Sequence, residues 1–166
     1  TMCTDDEVEA IFQSTTSYDN EVALSWNTVL LDLERYTPGY RPPVSARNIG
    51  YIGIAAYEAV VNGMSDEYSS IAEVYPGLEI PQTASGQEYH WPTVLNATYA
   101  RIFAQFFPTA PFQYASKIQE TETDFNNEFI GQVSQEVFNR SQEYGRSVAD
   151  AVFAWSATDV AGHEAY

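Results

Sequence analysis

Two histidines, one cysteine and one lysine are the whole stock of side chains that most often act as bases, nucleophiles or soft metal ligands in these 166 residues. His90 stands before Trp91-Pro92 at the close of a loop, and His163 sits in the polar stretch Ala161-Gly162-His163-Glu164. Neither belongs to an HExxH motif or to a spacing that puts two ligands on one helical face, so both read as solvent-touched loop histidines. Glu120-Thr121-Glu122-Thr123-Asp124 brings carboxylates together, but it lacks the D-x-D-x-D-G loop of a calcium site and reads as a solvated helix face. Ser85-Gly86 lacks the G-x-S-x-G frame of a nucleophile elbow and reads as a turn. Gly50 and Gly53 fall within an apolar stretch, where close packing explains them better than phosphate binding. Glu58 interrupts that same stretch. A carboxylate there must reach a cation such as Arg47 or Arg41, or the helix surface, and an ion pair is favoured over a catalytic acid. The sequons Asn96-Ala97-Thr98 and Asn139-Arg140-Ser141 occur at chance frequency and carry no inference about glycosylation. No catalytic, cofactor-binding or metal-binding residue is assigned.

The charge balance excludes further classes. With 23 acidic and 7 basic residues the formal net charge is −16, and seven scattered cations cannot form the basic stripe that nucleic acid or an anionic membrane surface requires. At 45% hydrophobic and 14% aromatic the chain has ample material for a core, which argues against disorder. The single cysteine, Cys3, removes any intrachain disulfide and any CxxC motif. Its place before Thr4-Asp5-Asp6-Glu7 resembles the mature end of a bacterial lipoprotein, although Met2 stands where a small residue is usual; an inert thiol in a loose terminus is the simpler reading. No run of 18 apolar residues is present, so no transmembrane segment is expected.

These side chains must be positioned by helices. Residues 1–16 read as a polar tail. From Asp19, the recurrence of Val22, Trp26, Val29, Leu30 and Leu33 at steps of three and four predicts a helix to about Tyr36, stopped by Thr37-Pro38-Gly39. Arg41-Pro42-Pro43 reads as an extended lead-in to a second helix over about 45–62, which is apolar nearly all round and is expected at the centre of the bundle. Residues 64–90 form a long loop. A third helix begins at Trp91-Pro92 and carries Leu95, Tyr99, Ile102 and Phe106. A fourth follows Pro111 with a thin stripe of Ile118, Phe125 and Phe129. A fifth runs over about 134–156 and turns Val137, Tyr144, Val148, Val152 and Trp155 inward. With no alternating strand pattern, the expected fold is all-α, a bundle of about five helices over residues 17–160, with a tail at 161–166.

The order of these features resembles the N-terminal region of bacterial vanadium-dependent haloperoxidase-like proteins, within the type-2 phosphatidic acid phosphatase superfamily. Trp26, Pro42-Pro43, Ala46-Arg47 and Tyr57-Glu58-Ala59-Val60 match that order, and Gly145-Arg146-Ser147-Val148-Ala149-Asp150 through Trp155 and Asp159 adds to it. The family's oxyanion pocket uses a lysine followed by Arg-Pro, a Ser-Gly-His and a later arginine followed by histidine. Here Lys117 precedes Ile118-Gln119-Glu120, and Ser85-Gly86 precedes Gln87. The resemblance therefore implies the helical N-terminal portion of such an enzyme. Vanadate, the cofactor of the complete family enzyme, is expected to be held by a C-terminal half or a second chain rather than by this one, in a secreted, periplasmic or surface-tethered setting. A non-catalytic helical binding or assembly module, which could form a homo-oligomer, is the competing reading.

Overall fold

The computed structural model describes residues 12–65 and 67–164; Cys3 and the rest of residues 1–11 of the polar start lie outside them. The elements are a short 3-10 turn at Thr15–Ser17, then α1 (Glu21–Tyr36), α2 (Pro42–Val61), a second 3-10 turn at Ile71–Glu73, α3 (Trp91–Phe106), α4 (Phe112–Phe129), α5 (Gln135–Ser156) and a single turn, α6 (Val160–His163). Among the described residues there is no strand, so the fold is an all-α bundle of five long helices. None of these helices is long and apolar enough to cross a membrane.

The boundary of α2 differs from expectation. Pro42 and Pro43 occupy its first two positions rather than an extended lead-in, with Arg41 as the extended N-cap. The first helical turn needs no N–H donors, and proline's fixed φ already suits it.

The central helix is α3, not α2. It packs against α1, α2, α4 and α5, and eleven of its sixteen residues are buried, Thr93, Asn96 and Thr98 among them. What brings α5 closest is Gly145, where a Cβ would collide with the Val94 carbonyl of α3. The Thr98 hydroxyl lies in the same crossing, 2.8 Å from the Val94 carbonyl and 3.0 Å from that of Gly145. A hydroxyl at this point gives the carbonyls of two crossing helices a donor that an apolar side chain could not supply.

From α1, Val22, Trp26, Val29, Leu30 and Leu33 all turn inward, as the spacing predicts. The Trp26 ring is fully buried, stacked on Tyr99 at 5.9 Å and edge-on to Phe103 at 5.2 Å. Burying an indole of this kind contributes about 4–6 kcal/mol before entropy is counted. Its Nε1 donates to Asn96 Oδ1 at 2.8 Å, and Asn96 Nδ2 donates in turn to the Glu122 carbonyl at 3.1 Å and to Asn126 Oδ1 at 3.2 Å. One buried amide thus ties α1, α3 and α4 together, and the sequon containing it is a structural joint.

Candidate functional site

The most distinctive surface is the side of α2 that the bundle leaves open. Val44, Asn48, Ile52, Ala55 and Ala59 turn inward, while Ala46, Ile49, Gly50 and Gly53 are exposed. Ile49 shows 47% of its surface, and a Cβ placed on Gly50 or Gly53 would meet nothing within 4 Å. The two glycines therefore do not serve close packing inside the bundle. Instead they form a shallow, uncharged track along a helix of twenty residues.

Each end of this track is fastened by a charged side chain. Near the start, Arg47 Nε donates to Asp159 Oδ2 at 3.0 Å and its Nη2 to the Ser156 carbonyl at 2.6 Å, while its guanidinium lies 4.7 Å from the centre of the Tyr51 ring. Asp159 is also the cap of α6, accepting from the Gly162 N–H at 3.2 Å, and Arg47 holds its carboxyl below the usual range. Arg47 thus satisfies a carbonyl at the end of α5 and fixes the direction in which the chain leaves that helix. Arg41, at the N-cap, has no ion-pair partner among the described residues.

Near the other end, Glu58 is fully buried, but not in the ion pair expected of it. Its Oε1 accepts from the Ile71 N–H at 2.5 Å and its Oε2 from the Ser70 hydroxyl at 2.7 Å. The loop after α2 folds back and brings its own donors, so no cation is needed. The carboxylate acts as an anchor for the second 3-10 turn, whose cap, Ser70, also accepts from the Ala72 N–H at 3.1 Å. Beside it opens a shallow cleft of about 670 Å³ in which Glu58, Glu73 and Glu79 are the charged residues.

The other candidates do not converge. His90 is 2% exposed rather than solvent-touched: its Nδ1 lies 2.7 Å from Thr93 Oγ1, and its backbone N–H donates to Ser141 Oγ at 2.9 Å. Burial lowers its pKa, partly offset by a hydrogen bond with Gln132. His163 is on α6, edge-on to Phe153. Lys117 is paired with Asp32, which raises its pKa, and Glu122 with Arg146 at 2.8 Å. Ser85 and Gly86 form an exposed turn with Gly86 at φ +69°.

Five of the seven basic side chains, Arg47, Arg101, Lys117, Arg140 and Arg146, are paired with carboxylates on separate parts of the bundle. Holding a multiply charged oxyanion takes several convergent cationic donors, and the described residues offer no such group. They also contain no cluster of three His, Cys, Asp or Glu placed to hold a metal ion.

A second cleft, of about 520 Å³, runs between the loop tip at Thr83–Gln87 and the segment Phe12–Ser14, with Tyr89, Trp91 and Asn62 on its floor. Asn62 donates to the Tyr144 hydroxyl at 2.9 Å, and burial pushes that phenol up to about 12 against the effect of this bond. Sequence reasoning missed the open side of α2 because a helix with apolar residues nearly all round gives no sign of which face lacks a neighbour. No protein-family model, curated protein or solved structure matches the chain.

Proposed function

We propose that this chain is the helical scaffold portion of a vanadium-haloperoxidase-like or phosphatase-like enzyme, and that the open track of α2 receives the part that carries the oxyanion pocket. The observation that supports this most is the exposed run Ala46, Ile49, Gly50 and Gly53 on a helix otherwise built for burial. Exposed glycines in a helix interior weaken it by about 0.5–1 kcal/mol each relative to alanine. Their use here is explained by a second element that must lie close to the α2 backbone. The dispersed, carboxylate-paired cations fit the same division of labour, in which the scaffold supplies packing and another segment supplies the positive pocket.

The test is reconstitution. The chain is mixed with a C-terminal segment carrying the lysine, Ser-Gly-His and arginine-histidine elements, and vanadate-dependent bromide oxidation and phosphate-ester hydrolysis are measured. The expected result is activity in the mixture, none in this chain alone, and loss of complex formation in Gly50→Leu/Gly53→Leu. Activity in this chain alone would overturn the reading. So would a failure of the two parts to associate, which would leave a free-standing assembly module as the better account.

A further inference from the structure

The segment Gln13–Asp19 lies against the end of α2 and the start of α3. Thr15 donates its N–H to the Gly63 carbonyl at 2.8 Å and its hydroxyl to the Val60 carbonyl at 2.9 Å. Ser14 Oγ donates to Gly63 at 2.9 Å, and Trp91 Nε1 donates to the Gln13 carbonyl at 3.1 Å. The 3-10 turn within this segment buries none of its own residues. It is therefore attached by a few polar contacts and by Tyr18, whose ring meets that of His90 edge-on at 5.3 Å.

Among the described residues the His90 ring also meets Phe129 of α4, edge-on at 5.2 Å, Thr93 of α3, and Gln132, an exposed residue of the turn between α4 and α5. Of these partners Tyr18 belongs to the segment Gln13–Asp19, and its half-buried ring also packs on the cluster that includes Trp91 and Val94. Outside it lies a cleft of about 210 Å³ whose charged residues are Asp19, Glu21 and Glu128, all acidic. Burial, and after it the charge of Glu88 in the loop, raises the Tyr18 pKa, and Arg140 of α5 binds the Glu88 carbonyl at 2.8 Å rather than the imidazole.

We propose that His90 is a proton-sensitive latch: the neutral imidazole keeps Gln13–Asp19 docked, and the imidazolium releases it. The physical asymmetry lies in the two states of the ring. When Tyr18 covers it, a charge there is deprived of water, which is why burial lowers the pKa. When Tyr18 leaves with its segment, the same charge meets solvent and the carboxylates that stay behind, Glu21 and Glu128. The docked state therefore carries no penalty above the ordinary imidazole value of about 6.5, and loses up to about tenfold in population per pH unit below it until the docked ring itself titrates. Release would uncover Trp91 and the close approach at Gly63, where a Cβ would collide with the Trp91 ring and the Thr15 hydroxyl.

The test is amide hydrogen exchange at pH 7.5 and pH 5.0, corrected for the intrinsic pH dependence, together with NMR titration of His90. At pH 5.0 the Thr15 and Tyr18 amides are expected to exchange about tenfold faster relative to their intrinsic rates while Ile102 and Val148 stay protected. In His90→Gln that acid effect disappears. In Tyr18→Ala, which leaves the imidazole with its Thr93 and Gln132 partners, the His90 pKa rises relative to the unsubstituted chain. Unchanged protection at pH 5.0, an acid effect that persists in His90→Gln, a His90 pKa that does not rise in Tyr18→Ala, or loss of core protection along with that of the segment would each overturn the latch.

Discussion

The helices α2 and α3 are both rich in small and apolar residues, yet one is wrapped and the other is left half open. Eleven of sixteen residues are buried in α3, against eight of twenty in α2. The difference comes from what stands opposite them. Facing α3 is Gly145, which lets the α5 backbone reach the Val94 carbonyl. Facing Gly50 and Gly53 of α2 there is nothing within the reach of a Cβ. A helical glycine thus marks a close approach only when the approaching element is present, and the same residue type has opposite energetic meaning in the two places.

This contrast can be attacked by substitution. The largest effect is expected from Gly145→Val, which must push α5 away from α3. A loss of about 3 kcal/mol or more in urea unfolding is expected, and a loss below about 1 kcal/mol would show that the crossing is looser than it looks. Next is Asn96→Ala, which orphans the buried Trp26 Nε1 and removes the tie to α4; about 2–3 kcal/mol is expected by the same measurement. Glu58→Ala tests the covered end of α2. It should cost about 1–2 kcal/mol and speed limited proteolysis within residues 64–90, because the anchored turn loses both of its bonds to the carboxylate. Smallest and of opposite sign is Gly53→Ala, where the open track predicts a gain of about 0.5–1 kcal/mol. Destabilisation there would mean that α2 is as closely packed as α3.

The spacing of Val22, Trp26, Val29, Leu30 and Leu33 was enough to place α1 and its inward face, and Ile118, Phe125 and Phe129 did the same for α4. Both helices are polar enough for their apolar stripes to stand out. In α2 the contrast is missing: with apolar residues all round, periodicity names no inward face, so centrality was inferred where half exposure is found. The partners of Glu58 were equally hidden, since a backbone N–H from a loop has no signature in side-chain composition. His90 looked solvent-touched because it follows a polar loop, but Ser141 and Phe129, some fifty and forty residues away respectively, close over it. Local pattern reports a residue's own chain neighbours, and these burials depend on distant ones. Of the proposed docking track, the absence of charge was legible; its openness was not.

The long connection between α2 and α3 also divides the chain into two interlocked parts. Before it, α1 and α2 donate their inward faces; after it, α3, α4 and α5 receive them, with α1 lying on α3 and α4, and α2 on α3 and α5. The Ser85-Gly86-Gln87 turn is exposed and contributes no side chain to either core cluster. A single protease cut there would sever the covalent link without removing a side chain from either core cluster. The two pieces should then remain together under native conditions and separate only in denaturant, so an intact elution profile would be no guarantee of an intact chain.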